Sequence, residues 1–195
     1  MKKLIKVVMV LIVISFISGC AARRAILKEG ELIVEKSAKA RPQWITLNYK
    51  EEKDIMYFSG GVEKVSDYAL GLREARVEAF KNLAESLQTK VRNEFTATKS
   101  GANLPGENLE KYVSDTVSTL VDNLHISGIK PAEVYYEKVK AGLENYYNCF
   151  VLIKISKSDY ENAKIKALQK SVQKAEKSGD KEAEKAAKEV LQKLQ

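Results

Sequence analysis

The chain has 195 residues, of which 45% are hydrophobic and 30% charged, a balance typical of globular rather than disordered proteins. The formal net charge of +7 arises near the two ends, because residues 42–155 contain 14 basic and 16 acidic groups. A nucleic-acid surface needs clustered Lys and Arg, so no nucleic-acid partner is expected. Two cysteines and one histidine exclude a multi-cysteine zinc site, an all-histidine metal site and a disulfide framework.

Residues 1–19 are predicted to be a signal peptide. The start is basic, with Lys2, Lys3 and Lys6, and the apolar run that follows is about eleven residues long, shorter than the ~20 of a membrane span. Small residues directly before a cysteine resemble the lipobox of bacterial lipoproteins, here Ile17-Ser18-Gly19-Cys20. The resemblance implies cleavage before Cys20 and lipidation of its thiol. The alternative is a plain signal peptide or an uncleaved anchor with a chance cysteine.

A lipid on Cys20 implies permanent attachment to a membrane outside the cytoplasm. Each methylene group buried in the bilayer contributes about 0.8 kcal/mol to membrane binding. One acyl chain therefore anchors a protein only marginally, whereas two or three acyl chains anchor it stably. Ala21 follows the cysteine. In double-membrane bacteria an Asp there is the usual inner-membrane retention signal, so its absence implies the outer membrane. The periplasmic and the surface face both remain open.

Residues 20–41 are predicted to be the lipidated cysteine and a solvated tether. The segment lacks aromatic residues and proline, although its apolar residues leave a short helix or strand as an alternative. Arg23 and Arg24 would lie near the lipid headgroups and have the charge to pair with anionic lipid.

A domain is predicted for residues 42–165, beginning at Pro42, which does not continue a helix comfortably. Residues 55–62 predict a strand that ends in the pair Gly60-Gly61. Asp67 is the expected N-cap of a long helix. The apolar residues of this helix recur at three- and four-residue steps: Leu72, Ala75, Ala79, Leu83, Leu87, Val91 and Phe95. A loop at 99–106 and a second amphipathic helix from Leu109 to Leu124 follow.

The spacing of apolar residues then changes from that of a helix to that of two strands joined as a β-hairpin. Residues 126–139 predict one strand, 141–145 a turn and 146–155 the second strand, with Cys149 among the residues facing the core. The expected fold class is therefore α+β. It has an antiparallel sheet (one strand plus a β-hairpin) covered by a long amphipathic helix and a second helix, with a C-terminal helical tail.

The tail, residues 166–195, is rich in Lys, Glu, Ala and Gln. The stretch Ser178-Gly179-Asp180 interrupts it, so two helices are expected from residue 157 onward. Large apolar side chains are sparse there, so the contact between the two helices, called here the seam, is predicted to be thin. The tail is therefore expected to be the part of the mature chain that is least protected from amide hydrogen exchange.

Few residue patterns indicate catalysis. Cys149 lies in an apolar run, which favours a buried structural thiol over a dyad with His125. Trp44 is interpreted as a side chain that packs in the core or at its edge. The alternative is that its ring binds a ligand. The pairs Tyr135-Tyr136 and Tyr146-Tyr147 favour cross-strand packing, and an exposed interaction patch is the alternative.

Several stretches resemble the Lpp-twenty-like family of small bacterial outer-membrane lipoproteins. They are Pro42-Gln43-Trp44, Tyr57-Phe58-Ser59-Gly60-Gly61, the alanine-rich helix at 69–79 and the strand at 147–153. The resemblance covers about residues 42–165 and does not include the tail. Similar domains occur in proteins that build disks or rings around bacterial flagellar motors, and the family implies no catalytic residues.

We therefore expect a lipid-anchored envelope protein with a structural or interaction role and no enzymatic activity, catalytic residues, cofactor or metal. It would be attached to the membrane through Cys20 and would self-assemble or bind envelope proteins, with a flagellar complex as one candidate. The alternative is a periplasmic lipoprotein that binds a small ligand or peptidoglycan.

Overall fold

A computed structural model describes residues 30–98, 105–127 and 129–193, and for residues 125–127 it describes the backbone alone. The predicted signal peptide and Cys20 lie outside the described residues. In chain order the elements are β1 (Glu31–Lys36), a 3-10 turn (Gln43–Thr46), β2 (Tyr49–Glu52), β3 (Ile55–Val65), α1 (Tyr68–Thr96), α2 (Gly106–Ser127), β4 (Lys130–Ala141), β5 (Glu144–Ser156), α3 (Lys157–Ser178) and α4 (Lys181–Gln192).

The predicted fold class is confirmed: the protein is α+β, with one open antiparallel sheet in the order β1-β4-β5-β3-β2. Two strands are additional to the prediction, and both lie at the edges. β1 pairs with β4, and the short β2 pairs only with residues 55–58 of β3. The expected tether therefore needs correction, because residues 31–36 belong to the sheet.

Helix α1 lies on one face of the sheet, and the predicted stripe is buried from Ala75 to Phe95. Its first residues approach the sheet so closely that the contact points are glycines. A Cβ atom at Gly60 would lie 2.1 Å from the backbone nitrogen of Ala79, and one at Gly71 would lie 2.7 Å from Sγ of Cys149. Asp67 caps the helix as predicted, since its side chain accepts a hydrogen bond from the Leu70 N–H at 2.7 Å.

The hairpin is confirmed, but its first strand begins later than predicted. Residue 126 belongs to α2, which continues to Ser127, and β4 begins at Lys130. Ile126 lies in the last turn of α2, so an apolar residue alone did not mark the start of the strand. Gly142 turns the chain between β4 and β5 with φ of +64°.

The opposite face of the sheet, called here the far face, is covered by residues 37–48, the cover segment. Ser37 joins it to β4 through two hydrogen bonds with the Tyr136 backbone. The Arg41 guanidinium lies 5.0 Å from the centre of the Phe150 ring, and the Trp44 indole N–H donates to Glu133 Oε2 at 2.6 Å. The sheet is therefore buried on both faces near its centre.

Helices α2, α3 and α4 pack with the C-terminal half of α1. Gly179, in the left-handed conformation with φ of +72°, ends α3 and separates it from α4 as predicted. The expectation of a thin seam was wrong, because alanines and a serine fill the space between the few larger apolar side chains. The buried residues are Ala167, Leu168, Ser171, Val172, Ala175, Ala183, Ala186, Ala187 and Val190. Helix α3 also runs without a break across residues 165 and 166.

Among the described residues, no helix has the length and apolar composition required to cross a membrane.

Candidate functional site

The outer edge of β3 is open along part of its length. β2 pairs with β3 only as far as Phe58, and no described strand pairs with that edge from Gly60 onward. The Ser59 N–H donates to the Asn48 carbonyl on this side, and the Ser59 carbonyl accepts from the Asn82 side chain at 2.8 Å. Because backbone groups alternate along a strand, the N–H and C=O of Gly61 face the same open edge.

Helix α1 forms the other wall of a groove beside this edge, called here the edge groove. The groove has a volume of about 540 Å³, and its lining residues are Gly61, Val62, Leu70, Arg73, Glu74, Val77 and Glu78. Val77 is 67% exposed and Leu70 is 38% exposed, although both are apolar. An open strand edge beside an apolar helix surface is the arrangement with which sheets bind extended protein segments.

A second, smaller cavity of about 170 Å³ lies on the far face beside the cover segment. It is lined by Trp44, Leu47, Lys50, Glu52, Tyr57, Glu133 and Leu152. Trp44 is half-buried and is held by its hydrogen bond to Glu133. Trp44 therefore lines this cavity without being among the residues packed against the hydrophobic core, and both interpretations of it stay predictions.

A buried polar cluster lies beneath Arg41. Glu137 is 1% exposed, accepts hydrogen bonds from Tyr135 at 3.0 Å and Asn148 at 3.4 Å, and lies 3.7 Å from Arg41 Nε. Burial, followed by the Glu137 carboxylate, raises the pKa of Tyr135 to about 12. Glu137 is paired and shielded from solvent, whereas Arg41 Nε is buried with its ion pair to Glu137 but without a hydrogen bond. The ion pair links the cover segment to the sheet.

A set of charged and aromatic side chains also joins β2 to α1 and α3. Glu51 contacts Lys157 at 2.6 Å and accepts a hydrogen bond from Tyr49, and Lys157 followed by Tyr49 lowers the pKa of Glu51 to about 2. Lys90 donates to the Tyr49 hydroxyl at 3.2 Å.

Deeper in the same region, Lys164 is 3% exposed and lies 3.0 Å from both Glu94 and Glu161. Burial raises the pKa of the neighbouring Tyr160. The Lys164–Glu94 pair joins α3 to α1, and the Lys164–Glu161 pair lies within α3.

The structure describes one of the two residues of the alternative catalytic dyad, Cys149. Cys149 is buried as predicted, and burial, with a smaller effect of Asp67, raises its pKa to about 11. The side chain of His125 lies outside the described residues. In the part of the chain that the structure describes, no three His, Cys, Asp or Glu side chains are placed to hold a metal ion.

The four tyrosines of the hairpin divide between the two faces. Tyr136 and Tyr147 lie on the α1 face with ring centres 6.5 Å apart, and Tyr68 packs 4.8 Å from Tyr136. Tyr135 is on the far face but is buried beneath the cover segment, 6.2 Å from Phe150. Cross-strand packing therefore accounts for Tyr136 and Tyr147, and the buried Tyr135 is not part of an exposed patch.

Sequence reasoning missed the edge groove. Val77 lies outside the apolar stripe of α1, and the stripe alone assigns it no role. The available signal was an apolar residue on the charged side of the helix together with the pair Gly60-Gly61. No family model, no curated protein and no solved structure matches the chain.

Proposed function

We propose that the protein is a lipid-anchored bacterial envelope protein with a non-catalytic structural or interaction role, and that the edge groove is its binding surface. The observation that supports an interaction role is the open edge of β3 beside the exposed Val77 and Leu70. An extended segment of a protein partner would complete the backbone hydrogen bonds of Gly61 and cover these two side chains. The anchor is proposed from the lipobox ending at Cys20.

The outer membrane is the proposed location, on either its periplasmic or its surface face.

The groove is tested by placing a photocrosslinking amino acid at position 77 of the full chain in living bacteria. Val77 should yield covalent adducts with an envelope protein or a second copy, because the partner would cover it. Leu143, fully exposed at the hairpin turn, is the matched control and should yield few. Equal yields at the two positions would contradict an interaction role for the groove.

A second candidate function is the binding of a small ligand or a peptidoglycan fragment at the Trp44 cavity. The observation that favours it is the combination of an indole, a tyrosine and three charged side chains around one opening. Its volume is below the ~300 Å³ of ordinary ligand pockets, which places it second. Trp44 is the only tryptophan, so its fluorescence should change on addition of muropeptides if this function is correct.

A further inference from the structure

The sheet has a second open edge, on β1. No described strand pairs with the outer side of β1, and its side chains Leu32 and Val34 are 66% and 53% exposed. Sheets usually protect such edges, because an open edge pairs readily with another strand. β1 and the edge groove thus lie at opposite ends of the same sheet, and each has exposed apolar side chains.

We propose that β1 of a second copy of this chain docks in the edge groove, so that copies join head to tail in one continuous sheet. This inference rests on the proposed function of the groove and names its partner.

The strand directions permit this docking without turning either copy over. Every neighbouring pair in the sheet is antiparallel, so β1 runs opposite to β3 within one copy. A second copy in the same orientation, placed beside β3, therefore presents its β1 antiparallel to β3. The helices of both copies then lie on the same face of the joined sheet.

The regular parts of the two edges match in length. β1 has a bulge after Ile33, which leaves Glu31–Ile33 in regular register. β3 has its own irregularity after Val62, which leaves residues 60–62 open and regular. Each edge therefore offers three consecutive residues, and beyond them an irregularity interrupts the register of each strand.

The side chains also match across the junction. Leu32 pairs in register with Lys140, which lies on the α1 face together with Tyr136 and Lys138. The docked Leu32 therefore enters the groove from the side of Val77 and Leu70. Burial of these exposed apolar side chains is the main source of stabilisation.

Two charges at the junction are complementary. Within the described residues, neither Glu74 in the groove nor Lys140 beside β1 takes part in a salt bridge, and both are exposed. Head-to-tail docking brings this carboxylate and this ammonium to the same side of the joined sheet. The contact is heterologous, so each added copy presents a free groove or a free β1, and growth ends only when a ring closes.

An isologous dimer is the main competing arrangement. Two grooves facing each other across a twofold axis would bring Val77 of one copy towards Val77 of the other and would stop at two copies. Leu32 and Val34 would then stay exposed. The two arrangements therefore differ in which positions meet between copies.

Cysteine crosslinking of the full chain in bacterial membranes tests the proposal. A chain with both Leu32→Cys and Val77→Cys, treated with a short bismaleimide, should give a ladder of dimers and larger products that is absent from the parent protein. Each single variant should give none. All these positions are exposed, so the variants should fold. Dimers from Val77→Cys alone, or no products from the double variant, would overturn the proposal.

A control pair and a charge reversal sharpen the result. Leu143→Cys combined with Val77→Cys should give no ladder, and a comparable ladder from this pair would overturn the proposal by showing chance collisions. Adding Glu74→Lys to the double-cysteine chain should lower the yield several-fold, and adding Lys140→Glu as well should restore it. A yield that does not recover would overturn the docking orientation. Photoadducts from Val77 to other envelope proteins, without this ladder, would keep the proposed function and refute the second copy as partner.

Discussion

Gly60 of β3 and Ala79 of α1 are so close that a Cβ atom at Gly60 would lie 2.1 Å from the Ala79 backbone nitrogen. The Ala75 carbonyl oxygen would lie 2.3 Å from the same atom. Both neighbours are helix backbone, which does not move as a flexible side chain does. The absence of a side chain at Gly60 therefore sets how closely α1 lies on the sheet, and with it the width of the edge groove.

Gly60→Ala should destabilise the protein by about 3 kcal/mol, because overpacking forces the helix and strand apart. Chemical denaturation measures this change in the free energy of unfolding. Gly106→Ala is the matched control, since a Cβ atom there meets nothing within 4 Å, and it should be neutral or slightly stabilising. Equal effects of the two substitutions would show that α1 does not rest on Gly60.

Ala187→Asp should lower the melting temperature strongly, because Ala187 is buried between the terminal helices and an unpaired charge there costs several kcal/mol. Lys185→Asp, at an exposed position of the same helix, should change it little. If the two variants had the same melting temperature, α4 would be a peripheral tail, as the sequence alone suggested.

Cys149 should be unreactive in the folded protein at pH 8. Its pKa is raised to about 11, chiefly by burial, so little thiolate forms and reagents have no access to it. Labelling with iodoacetamide, followed by mass spectrometry of the Cys149 peptide, should show slow modification in buffer and rapid modification in urea. Rapid labelling in buffer would contradict the packing of Gly71 on this thiol.

Glu51 should remain ionised to unusually low pH, because Lys157 and then Tyr49 lower its folded pKa to about 2 from an ordinary 4.5. A lowered carboxyl pKa stabilises the fold above the unfolded value, and that contribution is lost as the pH falls from about 4.5 towards 2. Carboxyl NMR titration of Glu51 measures the shift. Lys157→Ala should raise the pKa, whereas Lys50→Ala, at the neighbouring pair with Glu52, should not.

The parts of the fold that depend on periodicity were predictable from the sequence. The stripe of α1, the Asp67 cap, the hairpin and the break at Gly179 all follow from local spacing. β2 was not predicted, and β1 was only an alternative to the tether, because a short edge strand buries little and has a weak apolar alternation. The terminal seam was missed because only large apolar side chains were counted, whereas alanines such as Ala186 pack closely between helices.

The candidate site was less predictable than the fold. The edge groove exists because β2 stops short of Gly60 and leaves part of β3 unpaired, and strand lengths of this kind depend on tertiary packing. Cys20, by contrast, is proposed from a local motif alone, and its test does not depend on the fold.

Mass spectrometry of the mature N-terminus tests the central claim most directly. The full chain, expressed in bacteria and extracted from their membranes, should begin at Cys20 and have a mass increased by a diacylglycerol group on that residue. A chain that begins elsewhere, or that has an unmodified Cys20, would contradict a lipid-anchored envelope protein.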